Sequence, residues 1–141
     1  MAGNIYEMLK EDHTKVKGLL EKTIKEKSAK EFPQIKKELE VHMKGEEEYF
    51  YPDLKKDDAV TIIEGYYEHS LAKKVIKDIE NEKNVNDEWL ARVKVLKDLI
   101  EHHVKEEEDE IFKLAKKNLN KKKEDEIYKQ FKDLKKKNDL M

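Results

Sequence analysis

Five histidines are spread along the chain, and two of them open near-copies of one phrase. HMKGEEEYFYP begins at His42 and HVKEEEDEIFK at His103, sixty-one residues later. In both, a Glu follows four residues after the His and an aromatic follows at nine. Residues four apart on a helix lie one turn apart on one face. His42 with Glu46, and His103 with Glu107, can therefore reach one ion or two neighbouring ones. Imidazole nitrogen and carboxylate oxygen are ligands for divalent transition metals. The chain has no cysteine, which removes thiolate sites, disulfides and Cys nucleophiles.

The elements that must position these groups read as helices. Apolar residues make up 37% of the chain and charged residues 45%, with four Gly and two Pro. That composition fits an all-α protein with heavily solvated outer faces. Asn4 with Glu7 spells a capping box, and Leu9, Val16 and Leu20 follow with helical period. Phe32-Pro33 restarts the chain, because Pro suits a first turn; Pro52 should bend or loosen the end of that second helix. Asp57-Asp58 can cap a third helix, and the polar break at residues 84–87 precedes a fourth that runs to about Asn118. These spacings and short connections predict an up-down-up-down four-helix bundle over 1–118. A shorter amphipathic helix follows in 119–141, with Ile127, Phe131 and Leu134 on one side, packing on the bundle or trailing from it.

Each apolar stripe is interrupted by polar residues. His13 falls between Leu9 and Val16, and His69 between Tyr66 and Ala72. His42 and Glu46 fall between Leu39 and Phe50, and His103 and Glu107 between Ile100 and Ile111. Counted outward from the connections, all six lie within about two helical turns, or roughly 10 Å along the axis. An unpaired buried carboxylate costs several kcal/mol, and two close together repel. Divalent metal removes both penalties while taking neutral imidazole as a ligand. The expected site is therefore a metal centre built from His13, His42, Glu46, His69, His103 and Glu107. His102 falls beside the stripe and reads as surface or supporting. Glu68 and Glu106 read as acceptors for imidazole N–H groups or as solvated acids.

Two bundle signatures are missing: no His has Glu three residues before it, and His-Glu-x-x-His is absent. The combination of DHTKV at 12–16, HMKGEEEYFYP at 42–52, EHSLAKK at 68–74 and HVKEEEDEIF at 103–112 instead resembles the hemerythrin-like, or HHE cation-binding, family. The resemblance covers residues 5 to about 115. It implies two iron ions, oxo- or hydroxo-bridged when oxidised, with Glu46 and Glu107 as bridging carboxylates. His13 and His42 would serve mainly one ion, and His69 and His103 the other. Oxygen-carrying members place a second His on the third helix, one turn from the first. Here the positions four before and four after His69 hold Gly65 and Lys73, so one iron has a place open to water, hydroxide or another side chain. Tyr66 is a candidate neighbour of that open place, alongside its reading as a packing residue.

The resemblance implies a non-haem diiron protein that binds or senses a small diatomic ligand, dioxygen first, with nitric oxide and peroxide as further ligands. The alternative is a diiron oxidase or peroxidase, or an iron-handling protein, using the same residues. Ile100, Val104, Phe50 and Leu20 are candidates for the dry wall that reversible binding requires. Formal net charge is −2, which by itself attracts no polyanion, although residues 113–141 hold 11 Lys against 5 acidic residues. No nucleic-acid partner is expected, and a Lys-rich helix whose sticky face packs on the body is the plain reading of that end. No leader or bilayer-spanning run is evident, so the expectation is a cytoplasmic protein of open oligomeric state.

Overall fold

A computed structural model describes residues 3–141, and among these no residue is in a β-strand. α1 spans Ile5–Glu26, α2 Phe32–Gly45, α3 Ala59–Asn81 and α4 Asp87–Glu106. α2 is prolonged by a wider turn at Glu46–Phe50 and a tight one at Tyr51–Asp53. α4 is prolonged by a wider turn at Glu107–Ile111 and by α5, Phe112–Asn118; α6, Lys121–Lys137, closes the chain. The first four helices pack as a bundle, with α1 against α2 and α4, and α3 against α4.

The termini of these helices follow from local chemistry. Asn4 Oδ1 accepts from the Glu7 amide, and the Glu7 carboxylate accepts from the Gly3 amide, each at 2.9 Å. Asp58 caps α3 through the Thr61 amide, Asn86 caps α4 through Trp89, and Asn120 caps α6 through Lys123. Such caps satisfy amides that the first helical turn leaves without partners. Pro33 lies in the first turn of α2, as expected. Pro52 lies in the tight turn that ends the second rod, where the missing N–H is no loss.

The core is two apolar blocks with a polar layer between them. One block gathers Ile5, Leu9, Phe50, Ile62, Ile111 and Phe112; the other gathers Val16, Leu20, Leu39, Ile76, Leu96 and Ile100. His13, His42, Glu46, His69, His103 and Glu107 are all buried in the gap between the two sets.

α6 lies on α1 and α2, burying Ile127, Phe131 and Leu134. Its approach depends on Gly45, where an added Cβ would come under 3.0 Å from the Phe131 ring. Alanine in a helix is worth about 1 kcal/mol over glycine, whereas overfilling a packed core costs about 1–3 kcal/mol. Phe131 is fully buried and cannot swing into solvent. Gly45→Ala should therefore lower the melting temperature despite its better helix propensity. An unchanged or higher melting point would show that the ring yields.

Candidate metal centre

In both repeats the helix changes pitch at the acid. Glu46–Phe50 and Glu107–Ile111 are π turns, closed by the Tyr51 N–H donating to the Glu46 carbonyl and the Phe112 N–H to the Glu107 carbonyl. A π turn holds one residue more than an α turn, so the residue five positions on, not four, lies over the acid. Phe50 and Tyr51 are both fully buried as a result, and Ile111 and Phe112 nearly so. The wide turn brings the Tyr51 hydroxyl to 2.5 Å from Glu107 Oε2, 3.1 Å from His103 Nε2 and 3.3 Å from Glu46 Oε1.

The six side chains singled out by spacing meet in two adjoining groups that share both acids. In the first, His13 Nε2 lies 3.2 Å from His42 Nε2 and 3.1 Å from Glu107 Oε1, and His42 Nε2 lies 3.3 Å from Glu46 Oε2. In the second, His69 Nε2 lies 3.1 Å from both His103 Nε2 and Glu46 Oε1, and His103 Nε2 lies 3.3 Å from Glu107 Oε2. Each acid thus gives one oxygen to each group. Bonds of about 2.1 Å to one ion place neighbouring ligand atoms about 3 Å apart, which is the spacing seen. The first group has four donor atoms; Tyr51 gives the second a fifth.

Every imidazole is aimed by a carboxylate behind it. His42 Nδ1 lies 2.9 Å from Asp12, His13 Nδ1 2.7 Å from Glu108, His69 Nδ1 2.7 Å from Glu47, and His103 Nδ1 2.5 Å from Glu68. The pattern repeats between the two hairpins. The acid before the His on α1 or α3 holds the His of its own hairpin partner. The acid after Glu46 or Glu107 holds the His of the other hairpin. A proton fixed on Nδ1 leaves the inward Nε2 as a lone-pair donor, the form a metal ligand needs.

Without a cation these groups neutralise one another. Burial pushes Glu107 up, but the imidazoles of His103, His13 and His42 around it hold it well below the usual carboxylate range. Burial and Glu107 push Glu46 up, and the histidines outweigh them to hold it low. Burial opposes protonation of His103, yet hydrogen bonds to Glu107, Glu46 and Glu68 raise it to about 12. Burial, then the charges of Glu107 and Glu46, push the Tyr51 phenol well above its ordinary value. The compensation is incomplete. Glu46 Oε2 and Glu107 Oε1, both facing the His13–His42 side, are buried without a hydrogen-bond partner. Buried polar atoms are rarely left so.

A cavity of about 20 Å³ lies against the cluster, with Val16, Leu39, Met43, Ile100 and Val104 among its lining. Counted as space open to the centre of a water molecule, about 10–15 Å³ holds one water, so the cavity admits a molecule of one to a few atoms. Ile100 and Val104 stand in its wall as expected, whereas Phe50 belongs to the apolar block around Ile5 and Leu20 lines an outer groove. His13, Ile100 and Val104 line both that groove and the cavity.

Tyr66, read as a neighbour of the open place or as a packing residue, lies beside the two groups. Its hydroxyl donates to the Glu47 carbonyl at 3.2 Å, and its ring stands edge-on to Tyr51, so it does not enter the cluster. Tyr51 does, because the π turn moves it inward. Its ring fills the space that Gly65 leaves, where an added Cβ would lie 3.1 Å from Tyr51 Cε2. Glu68, one of two acids that could accept an imidazole N–H, lies behind His103. Glu106 pairs instead with the exposed His102, at 3.4 Å. Asp12, Glu47 and Glu108 were not anticipated, although adjacent acids beside each ligand position were visible.

This is the arrangement of a metal-binding helical bundle. The family model for the hemerythrin HHE cation-binding domain matches residues 4–115, and the chain belongs to that family. It is also similar to a DNA nickase of Nostoc sp. (strain PCC 7120 / SAG 25.82 / UTEX 2576), at 30% identity over 124 residues, covering 82% of this chain. The chain spans 34% of that relative's length. No solved structure matches it significantly. Among the described residues no helix is long and apolar enough to cross a membrane.

Proposed function

We propose that the chain holds two iron ions between its four buried histidines and binds a small diatomic ligand beside them, dioxygen first, for carriage or sensing. One observation carries this reading: Glu46 Oε2 and Glu107 Oε1 are buried without hydrogen bonds, with imidazole nitrogens 3.3 and 3.1 Å away. A cation in the His13–His42 group satisfies both oxygens, and one in each group removes the repulsion between the acids. His13, His42, Glu46 and Glu107 would hold one ion, and His69, His103, Tyr51 and the same two acids the other. Ferrous ions supply the electrons that let a diatomic molecule bind.

The residues around the cluster define the rest. Asp12, Glu108, Glu47 and Glu68 keep each Nδ1 proton in place and each ring aimed inward. Tyr51 packs beside Gly65 and adds a donor to the His69–His103 group, so the side with fewer donors is that of His13 and His42. Ile100 and Val104 stand between the cavity and the outer groove and give both an apolar wall. A cavity of about 20 Å³ has no room for an organic substrate, which favours a diatomic ligand over oxidation of a larger molecule. A cation pair can cleave phosphodiesters, but a nucleic-acid backbone does not fit that space, so nicking by the longer relative is not extended to this chain.

The test is anaerobic loading with ferrous iron, metal analysis, then oxygen titration followed by absorption. Two irons per chain and an oxygen-dependent band that fades when oxygen is removed are expected. Fewer than two irons would overturn the site. Rapid conversion to a stable oxidised form would replace binding with oxidase chemistry.

A further inference from the structure

α6 lies beyond the residues matched by the family model, yet it reaches the metal centre. Lys135, only 9% exposed, pairs its ammonium with Asp12 Oδ1. The other Asp12 oxygen, Oδ2, lies 2.9 Å from His42 Nδ1. Four residues earlier on the same helix, Phe131 stands edge-on to His42 with ring centroids 6.1 Å apart, directly over Gly45. One face of α6 therefore supplies both the lateral wall of His42 and the cation behind its carboxylate.

The equivalent acid of the second hairpin has no such backing. Glu68 Oε1 holds His103 Nδ1, but Glu68 Oε2 faces His102, 3.5 Å away and 72% exposed. A buried ammonium is a fixed partner, whereas a surface imidazole competes with water. The two halves of the centre are thus supported unequally, and the difference falls on the His13–His42 side.

We propose that Lys135 is a positioning residue for the cation site on the His13–His42 side, acting through Asp12 to fix the pose and tautomer of His42. The proposal rests on the two-cation reading above. Groups behind metal-binding histidines typically change metal affinity 10–100-fold when removed. Because the Lys135 chain of contacts touches only His42, its loss should divide the two sites instead of weakening them together. Coupling is reciprocal, so loading the site should in turn hold the end of α6 more firmly.

The experiment is titration of the full chain with ferrous iron, without oxygen and against a competing chelator, for wild type, Lys135→Met, Lys135→Arg and Tyr6→Phe. Methionine keeps the buried stem without the charge, and arginine keeps the charge. Tyr6 donates to Glu124 at 2.5 Å and anchors the opposite end of α6, so Tyr6→Phe tests simple loosening of the helix. Lys135→Met is expected to weaken one of the two ions about tenfold and leave the other unchanged, with Lys135→Arg and Tyr6→Phe close to wild type. Hydrogen exchange over residues 131–137 should slow on iron loading in wild type and respond much less in Lys135→Met. Two unchanged ions, two ions weakened equally, failure of arginine to restore binding, or the same split in Tyr6→Phe would each overturn the role of Lys135. A wild-type chain that binds fewer than two ferrous ions would overturn the two-cation reading itself, which separates the two failures.

Discussion

Glu107→Ala should weaken both iron ions together, by at least about a hundredfold, since changes behind the ligands alone cost 10–100-fold. The reason is geometric: Glu107 gives Oε1 to the His13 side and Oε2 to the His103 side, at 3.1 and 3.3 Å. His42→Ala is the contrast, because His42 belongs to one group and should spare the other ion. Glu107→Ala should also harm the metal-free protein. Its removal leaves buried imidazoles without their carboxylate, and breaking a buried ion pair costs about 3–5 kcal/mol. For a chain of this size that corresponds to a fall in melting temperature on the order of 10 °C. Competition titration and thermal melts of both variants check this. A Glu107→Ala protein that retains one ion at wild-type affinity would show that the acid does not span the two groups.

Metal-free and iron-loaded forms should respond to pH in opposite directions. In the metal-free cluster, His103 is raised to about 12, and His42 and His69 are also raised. A raised histidine contributes stability that is fully present below its unfolded value of about 6.5 and is lost as pH climbs toward the folded value. Metal-free protein should therefore melt lower at pH 9 than at pH 6. Iron-loaded protein holds its imidazoles neutral, so the unfolded chain binds more protons below pH 6.5 and stability rises with pH through that range. Loaded protein should melt higher at pH 8 than at pH 5.5 and release iron on acidification. Melting curves of the two forms across this range decide the matter; parallel slopes would mean that the histidines are not metal ligands.

The bundle was legible because its signals are local and redundant. Asn4, Pro33 and Asp58 mark helix starts by chemistry that needs no tertiary partner, and the stripes from Leu9 to Leu20 and from Ile100 to Ile111 state which faces are inward. The six polar interruptions stood out for the same reason: a charge in an apolar stripe is conspicuous. Tyr51 was hidden by the pitch assumed. A period of 3.6 carries the stripe from Glu46 to Phe50, and only a turn holding an extra residue carries it to Tyr51. The signal was present as paired apolar residues after each acid, Phe50-Tyr51 and Ile111-Phe112. Asp12, Glu47, Glu108 and Lys135 were hidden differently. Acids and lysines are so abundant in this chain that type alone separates none of them from the solvated faces, and their partners lie on other helices.

The wide turns at Glu46 and Glu107 set a condition for anyone transplanting this centre into an idealised scaffold. Straight rods with regular pitch would deliver four imidazoles and two carboxylates to the same level, and the graft would pass a check of donor count. The phenol would be left about a quarter-turn astray, and the His69–His103 group would be short of a donor. A faithful graft has to import the irregularity along with the side chains.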